Sequence, residues 1–80
     1  MSKWQTHAEM CGIKAAERLY EVDPSATREI RDTDMWGAGV VLLTFLRDHH
    51  APEYEIAEAM SIMLRAYVTR FQSLKSGGVP

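Results

Sequence analysis

The sequence predicts an all-α fold, a small helical bundle of three main helices with a short helical connector. Apolar residues recur at helical spacing in three long segments, and no segment alternates between apolar and polar residues with a period of two. Breaks that contain proline, at Asp23–Ser25 and His50–Pro52, separate these segments. A chain of 80 residues makes one domain, which we place at residues 1–76, with a flexible tail at residues 77–80.

The first helix is expected to run from Ser2 or Lys3 to Val22, where Asp23 and Pro24 end it and Asp23 caps the next turn. Its predicted core stripe is Trp4, Ala8, Cys11, Ala15, Leu19 and Val22. A second apolar row, made of Ile13, Ala16 and Tyr20, points to nearly the opposite side. The first helix therefore has two apolar faces.

The predicted connector is a charged helical turn at Ser25–Arg31, and the second main helix is expected from about Asp34 to His49, capped by Asp32 or Thr33. The second helix contains the run MWGAGVVLLTFL, which is apolar nearly all round. This pattern predicts the central helix, covered on every side by its neighbours. Gly37 and Gly39 inside it predict close contact with a neighbouring backbone or ring.

The third helix is expected to begin after Pro52 and to reach Lys75, with a broad apolar stripe. Ile62 falls in the middle of its polar side. This residue and the second row of the first helix are more apolar surface than three helices readily bury, so we expect a homodimer or a tightly held partner. The residues predicted for this contact are Ile13, Ala16, Tyr20 and Ile62.

Composition is that of an ordinary globular protein, with 46% hydrophobic and 25% charged residues and a net charge of −2. The single cysteine excludes an internal disulfide framework and favours a reducing compartment. The amino terminus lacks a signal-peptide pattern, and the longest apolar run is far shorter than the roughly 20 residues that span a membrane. We therefore expect a cytoplasmic protein that does not contact membranes.

No residue pattern identifies a reaction, so the sequence predicts a non-enzymatic protein without cofactors. His7 and Cys11 stand four residues apart and could share a metal with His49 or His50, but Cys11 lies in the core stripe. Adjacent histidines also point in different directions on a helix. We therefore expect no metal site.

Acidic side chains dominate the middle of the chain and predict a partner-binding array of Glu29, Asp32, Asp34, Glu53 and Glu55. Such an array would meet a basic groove on a protein partner, although these carboxylates also suit a purely solvating role. Arg65, Arg70 and Lys75 project on three sides of the third helix, so direct nucleic-acid binding is not expected. Reversing Asp32 and Asp34 to lysine is expected to weaken partner binding and to leave helicity unchanged.

In its size, in the absence of catalytic motifs and in the all-helical pattern of WQTHAEMCGIKAAERLYEV, MWGAGVVLLTFLRDHH and EIAEAMSIMLRAYVTRF, the chain resembles small anti-CRISPR proteins of bacteriophages. The resemblance implies an inhibitor that binds a type I CRISPR surveillance complex in the bacterial host, at a surface that handles DNA. It carries over no residue roles. Two other functions stay open, a small structural, assembly or oligomerisation component and a small DNA-binding regulator.

Overall fold

A computed structural model describes residues 3–77, and these residues form three α-helices and no strand. They are α1 (Gln5–Val22), α2 (Arg28–Asp48) and α3 (Glu53–Lys75). The all-α bundle predicted from the sequence is confirmed. Of the predicted tail at residues 77–80, only Gly77 lies within the described residues.

The ends of α1 differ slightly from the prediction. The helix begins at Gln5, with Trp4 in the capping position, and it ends at Val22 as expected. The backbone N–H of Asp23 donates to the carbonyl oxygen of Leu19, so Asp23 closes α1. The carbonyl oxygen of Asp23 also accepts a hydrogen bond from the backbone N–H of Ala26 at 3.0 Å, so the following turn begins at Asp23 as predicted, while Thr27 caps α2.

The connector predicted at Ser25–Arg31 is not a separate helix. Thr27 caps α2, and its hydroxyl oxygen accepts a hydrogen bond from the backbone N–H of Ile30 at 3.3 Å. The charged residues after Thr27 are the first turns of α2 itself, so Asp32 and Thr33 lie inside the helix and do not cap it. Because these turns lack an apolar stripe, the sequence pattern placed the helix start several residues too late.

The tightest packing in the molecule joins α1 to α3, which run parallel to each other. Ala8, Gly12 and Ala16 are fully buried at four-residue spacing along α1. A side-chain carbon at Gly12 would collide with the carbonyl oxygen of Met63 in α3. The small residues of α1 therefore let the two helices approach closely. The predicted core stripe of α1 and its predicted second apolar row lie on the two sides of this line of small residues, so they belong to one contact face.

The second helix packs antiparallel across this pair and is not the central helix. Leu42 and Leu46 are fully buried in the core with Met63. The opposite side of α2 is exposed, and Trp36 keeps 75% of its surface in contact with solvent. The prediction of a helix covered on every side is wrong, because an apolar composition does not specify which neighbour covers each face. Val22, predicted in the core stripe of α1, is also exposed.

Candidate interaction surfaces

The most exposed apolar surface of the described residues lies along α2. We call it the outward face of α2, and its residues are Ile30, Thr33, Trp36, Gly37, Val40, Val41, Thr44 and Arg47, all of them exposed. Trp36, Val41 and Val40 expose 75%, 67% and 52% of their surfaces. Exposed valine and tryptophan side chains next to one another on a single helix are typical of a protein-interaction surface.

The threonines of the outward face satisfy their own hydroxyl groups. Thr33 donates to the backbone oxygen of Glu29 at 3.1 Å, and Thr44 donates to the backbone oxygen of Val40 at 2.9 Å. Because each hydroxyl is bonded within the helix, neither threonine needs a polar group from a molecule that covers it. These positions are therefore compatible with an apolar contact.

The two glycines of α2 have different surroundings. A side-chain carbon built at Gly39 would lie 3.0 Å from the terminal carbon of Met60 and 3.5 Å from that of Met63, so Gly39 is covered by methionine side chains. Apart from its chain neighbours and the backbone of its own helix, a side-chain carbon at Gly37 would have no described atom within 4 Å. The predicted contact with backbone or ring is therefore wrong for Gly37, and nothing within the described chain explains this glycine.

A groove of about 340 Å³ lies between α2 and α3, beside the outward face of α2. Its lining is mostly apolar and consists of Met35, Trp36, Gly39, Val40, Leu43, Met60 and Leu64, with Asp32 also contributing. Leu64 exposes 40% of its surface here. The groove therefore extends the apolar surface of α2 toward α3.

The apolar rows predicted for a dimer or partner do not form one surface. Ala16 is fully buried, and Tyr20 is half-buried with its ring centroid 5.8 Å from that of Phe71. Because Ala16 lies inside the α1–α3 contact, it is not available to another chain. Only Ile13 and Ile62 meet at the surface, where both line the same groove.

This second groove, between α1 and α3, has a volume of about 460 Å³ and a more polar lining. Arg65 and Arg70 both line it. Arg70 makes a 2.8 Å ion pair with Glu17, and both side chains are over a third exposed. The pair contributes little to stability because solvent screens it.

The predicted acidic array is divided between the two ends of the bundle. Glu29 and Asp32 are exposed in the first turns of α2, whereas Glu53 is exposed in the first turn of α3. Since α2 has 21 residues, roughly 30 Å separate these ends. A single copy of the chain therefore does not present the five carboxylates as one surface.

Two of the predicted acidic residues are engaged inside the chain. Asp34 accepts a 2.6 Å hydrogen bond from the Tyr67 hydroxyl, and Glu55 accepts a 2.8 Å hydrogen bond from the indole N–H of Trp4. Burial and the bond to Asp34 raise the pKa of Tyr67 well above its usual value. Asp34 and Glu55 therefore hold helices together, and they are less available to a partner than Glu29, Asp32 and Glu53.

The histidines and the cysteine considered for a metal site lie near the carboxyl end of α2. The Cys11 sulfur and the His7 Nε2 atom are 3.9 Å apart, and burial raises the pKa of the Cys11 thiol. The rings of His7 and His49 each lie 4.2 Å from the ring of Phe45. Between residues 3 and 77, no three histidine, cysteine or carboxylate side chains are placed to hold a metal ion.

No protein family, curated protein or solved structure matches the chain. In the described part of the chain, none of the three helices combines the length and apolar character needed to cross a membrane. The surfaces themselves are therefore the basis for a proposal about function.

Proposed function

We propose that this chain is a non-enzymatic module that acts by binding other proteins. The observation that carries the proposal is the outward face of α2, where Trp36, Val40 and Val41 are all more than half exposed. Exposing these side chains to water is unfavourable, by about 25 cal/mol for each Å² of apolar surface that a partner would cover. Contact with another protein removes this cost.

We further propose that the protein is an anti-CRISPR inhibitor, encoded by a phage, that binds a type I CRISPR surveillance complex in the bacterial cytoplasm. The support is the resemblance in size and helical pattern, together with the exposed carboxylates of Glu29 and Asp32 in the first turns of α2. Carboxylates at these positions would meet a basic surface that otherwise handles DNA, and they would steer association over a long range.

The direct test is a gel shift with a purified type I surveillance complex and a labelled target duplex. Addition of the chain in excess is expected to reduce the fraction of duplex bound by the complex. The Asp32→Lys variant is expected to inhibit less, and Glu21→Lys, which reverses an exposed carboxylate at the end of α1, serves as the matched control. Full duplex binding at saturating wild-type chain, across the type I subtypes, would contradict the anti-CRISPR proposal.

An assembly component is the second candidate, and one observation favours it. The outward face of α2 and the groove that contains Ile13 and Ile62 are separate surfaces, since no residue of α2 lines that groove. Two different contact surfaces on one chain allow growth beyond a closed pair. Sedimentation at rising concentration distinguishes this candidate, because it predicts species larger than a dimer.

A further inference from the structure

We propose that a second copy of this chain covers the outward face of α2, and that the two α2 helices pair antiparallel about a two-fold axis. This inference rests on the proposed function in one respect, since it takes the outward face of α2 to be a protein-binding surface. It adds the identity of the occupant, its orientation and the residues that meet.

The spacing of the outward face suits a second helix. Its central line consists of Ile30, Thr33, Gly37, Val40, Thr44 and Arg47, at alternating steps of three and four residues. This is the spacing at which two helices stay in contact over several turns, with a crossing angle of about 20°. All six residues of the line are exposed in the single chain.

The same line is self-complementary when it is reversed. Pairing Gly37 with Val40 of the second copy also pairs Thr33 with Thr44, because each pair is centred on the same point of α2, between Ala38 and Gly39. A two-fold axis at that point repeats every contact twice. The side chain of Val40 then occupies the open space beside Gly37, where no described atom beyond the neighbouring residues and the backbone of α2 itself lies within 4 Å.

Charge complementarity supports the antiparallel orientation. Glu29 and Arg47 are 18 residues apart, which is five helical turns, so they lie on the same side at opposite ends of α2. In the register set by this axis, Arg47 of each copy lies opposite Ile30 of the other copy and next to its Glu29, so antiparallel pairing makes two ion pairs between opposite charges. Among the described residues, neither side chain makes an ion pair within its own chain. Asp48 lies on the other flank, on the side of Val41.

Trp36 and the groove between α2 and α3 lie on the same flank as Glu29. In an antiparallel pair with two-fold symmetry, this flank faces the equivalent flank of the second copy. The indole ring of each Trp36 then packs over the groove of the other copy, next to Val40, Leu43 and Leu64. A large aromatic side chain at the centre of an interface is a typical site of strong binding.

Sedimentation equilibrium of the full chain tests the proposal, first with the wild type at low salt. We expect a reversible dimer of twice the 9.1 kDa chain mass. Glu29→Lys and Arg47→Glu are each expected to weaken the dimer by about tenfold, and the double variant is expected to recover most of that loss. Glu58→Lys on α3 and Arg18→Glu on α1, both at exposed positions, are the matched controls and should leave the dimer unchanged.

Gly37→Leu provides a variant that does not depend on charge. Its side chain enters open space in the single chain, so the monomer is expected to fold, but it fills the position that Val40 of the second copy would occupy. We expect this variant to remain monomeric at concentrations where the wild type is fully dimeric. A wild type that stays monomeric, a dimer that tolerates Gly37→Leu, or single charge reversals without effect would each overturn the proposal.

The two proposals fail in different ways. A monomeric wild-type chain that still blocks DNA binding by the surveillance complex overturns the dimer and leaves the proposed inhibitor intact. A dimer with the expected response to Glu29 and Arg47 variants, but without inhibition, supports the inference and contradicts the anti-CRISPR function.

Discussion

The hydroxyl of Tyr67 donates a 2.6 Å hydrogen bond to the carboxylate of Asp34, and this bond ties the middle of α3 to the early turns of α2. Tyr67 is only 1% exposed, and its ring lies parallel to that of Phe71 at 6.4 Å. A hydrogen bond to a charged acceptor contributes about 2 kcal/mol. The bond therefore fixes α2 to the α1–α3 pair at the end of the bundle where α2 begins.

The first prediction concerns stability at alkaline pH. Burial, and then the hydrogen bond to Asp34, raise the pKa of Tyr67 in the folded state above that in the unfolded state. The contribution of the neutral phenol is therefore fully present below the unfolded pKa of about 10 and is lost as pH rises above it. Urea unfolding from pH 8 to pH 11 should show this decline.

Two phenylalanine variants separate Tyr67 from the other tyrosines. Tyr67→Phe should lower the free energy of unfolding by about 2 kcal/mol at pH 8 and flatten the alkaline decline. Tyr54→Phe changes a residue that is 73% exposed, so it should leave the free energy of unfolding and its alkaline decline unchanged. An equally steep decline in Tyr67→Phe would show that another group causes it.

The second prediction compares two glycines in the interiors of helices. Gly12→Ala places a carbon against the carbonyl oxygen of Met63, so we expect the free energy of unfolding to fall by about 1 to 3 kcal/mol. In Gly37→Ala the new methyl group enters open space, so the higher helix propensity of alanine should raise the free energy of unfolding by up to about 1 kcal/mol. Urea unfolding at a concentration where the chain is monomeric measures both changes. Equal changes in the free energy of unfolding for Gly12→Ala and Gly37→Ala would contradict the close approach of α1 to α3.

The third prediction separates Asp32 from Asp34. Asp32→Lys alters an exposed carboxylate and should keep helicity and stability while weakening binding to a basic partner. Asp34→Lys removes the acceptor of the Tyr67 hydroxyl, so it should cost about 2 kcal/mol of stability whether or not a partner is present. Reversing both residues is therefore expected to lower the free energy of unfolding as well as partner binding. Circular dichroism during urea unfolding checks the difference.

The fourth prediction concerns the reactivity of Cys11. Burial raises the pKa of its thiol, so at pH 8 the thiolate fraction is smaller than in an unfolded chain. Alkylation of the folded protein by iodoacetamide should therefore be slower than alkylation of the chain in urea, and the difference should narrow as pH rises. A faster reaction in the folded state would indicate an activated thiol and would contradict the non-enzymatic proposal.

The sequence was sufficient for the class of fold and for most helix boundaries. The apolar period and the two prolines predicted three helices, and the end of α1 at Val22 and the end of α3 at Lys75 agree with the structure. The start of α2 was missed because its first turns are charged, and only the cap at Thr27 signals them. A threonine in this position is a weak signal, since many exposed threonines do not cap helices.

Which helix occupies the centre was not predictable from hydrophobicity. The run of apolar residues in α2 suggested full coverage, yet the close pair is α1 with α3, because Ala8, Gly12 and Ala16 permit backbone approach. Their four-residue spacing was present in the sequence, but small side chains add little to an apolar stripe. The outward face of α2 was therefore missed, and Ala16 was assigned to the surface.

The acidic residues show a second reason why a site cannot be predicted from the sequence alone. Charge along the chain grouped Glu29, Asp32, Asp34, Glu53 and Glu55 as one array, but distance along a helix separates the first three from the last two. Hydrogen bonds from Tyr67 and Trp4 then engage Asp34 and Glu55. These bonds join residues 33 and 51 positions apart, and no local pattern predicts such partners.

The central claim is that the outward face of α2 is covered by a second copy, and the fluorescence of Trp36 tests it most directly. In Trp4→Phe, Trp36 is the only tryptophan of the chain, and a circular dichroism spectrum checks that the variant stays helical. As concentration rises through the dimerisation range, we predict a blue shift of its emission and weaker quenching by acrylamide. Emission typical of a fully exposed tryptophan at every concentration, in a chain that sediments as a dimer, would contradict the claim.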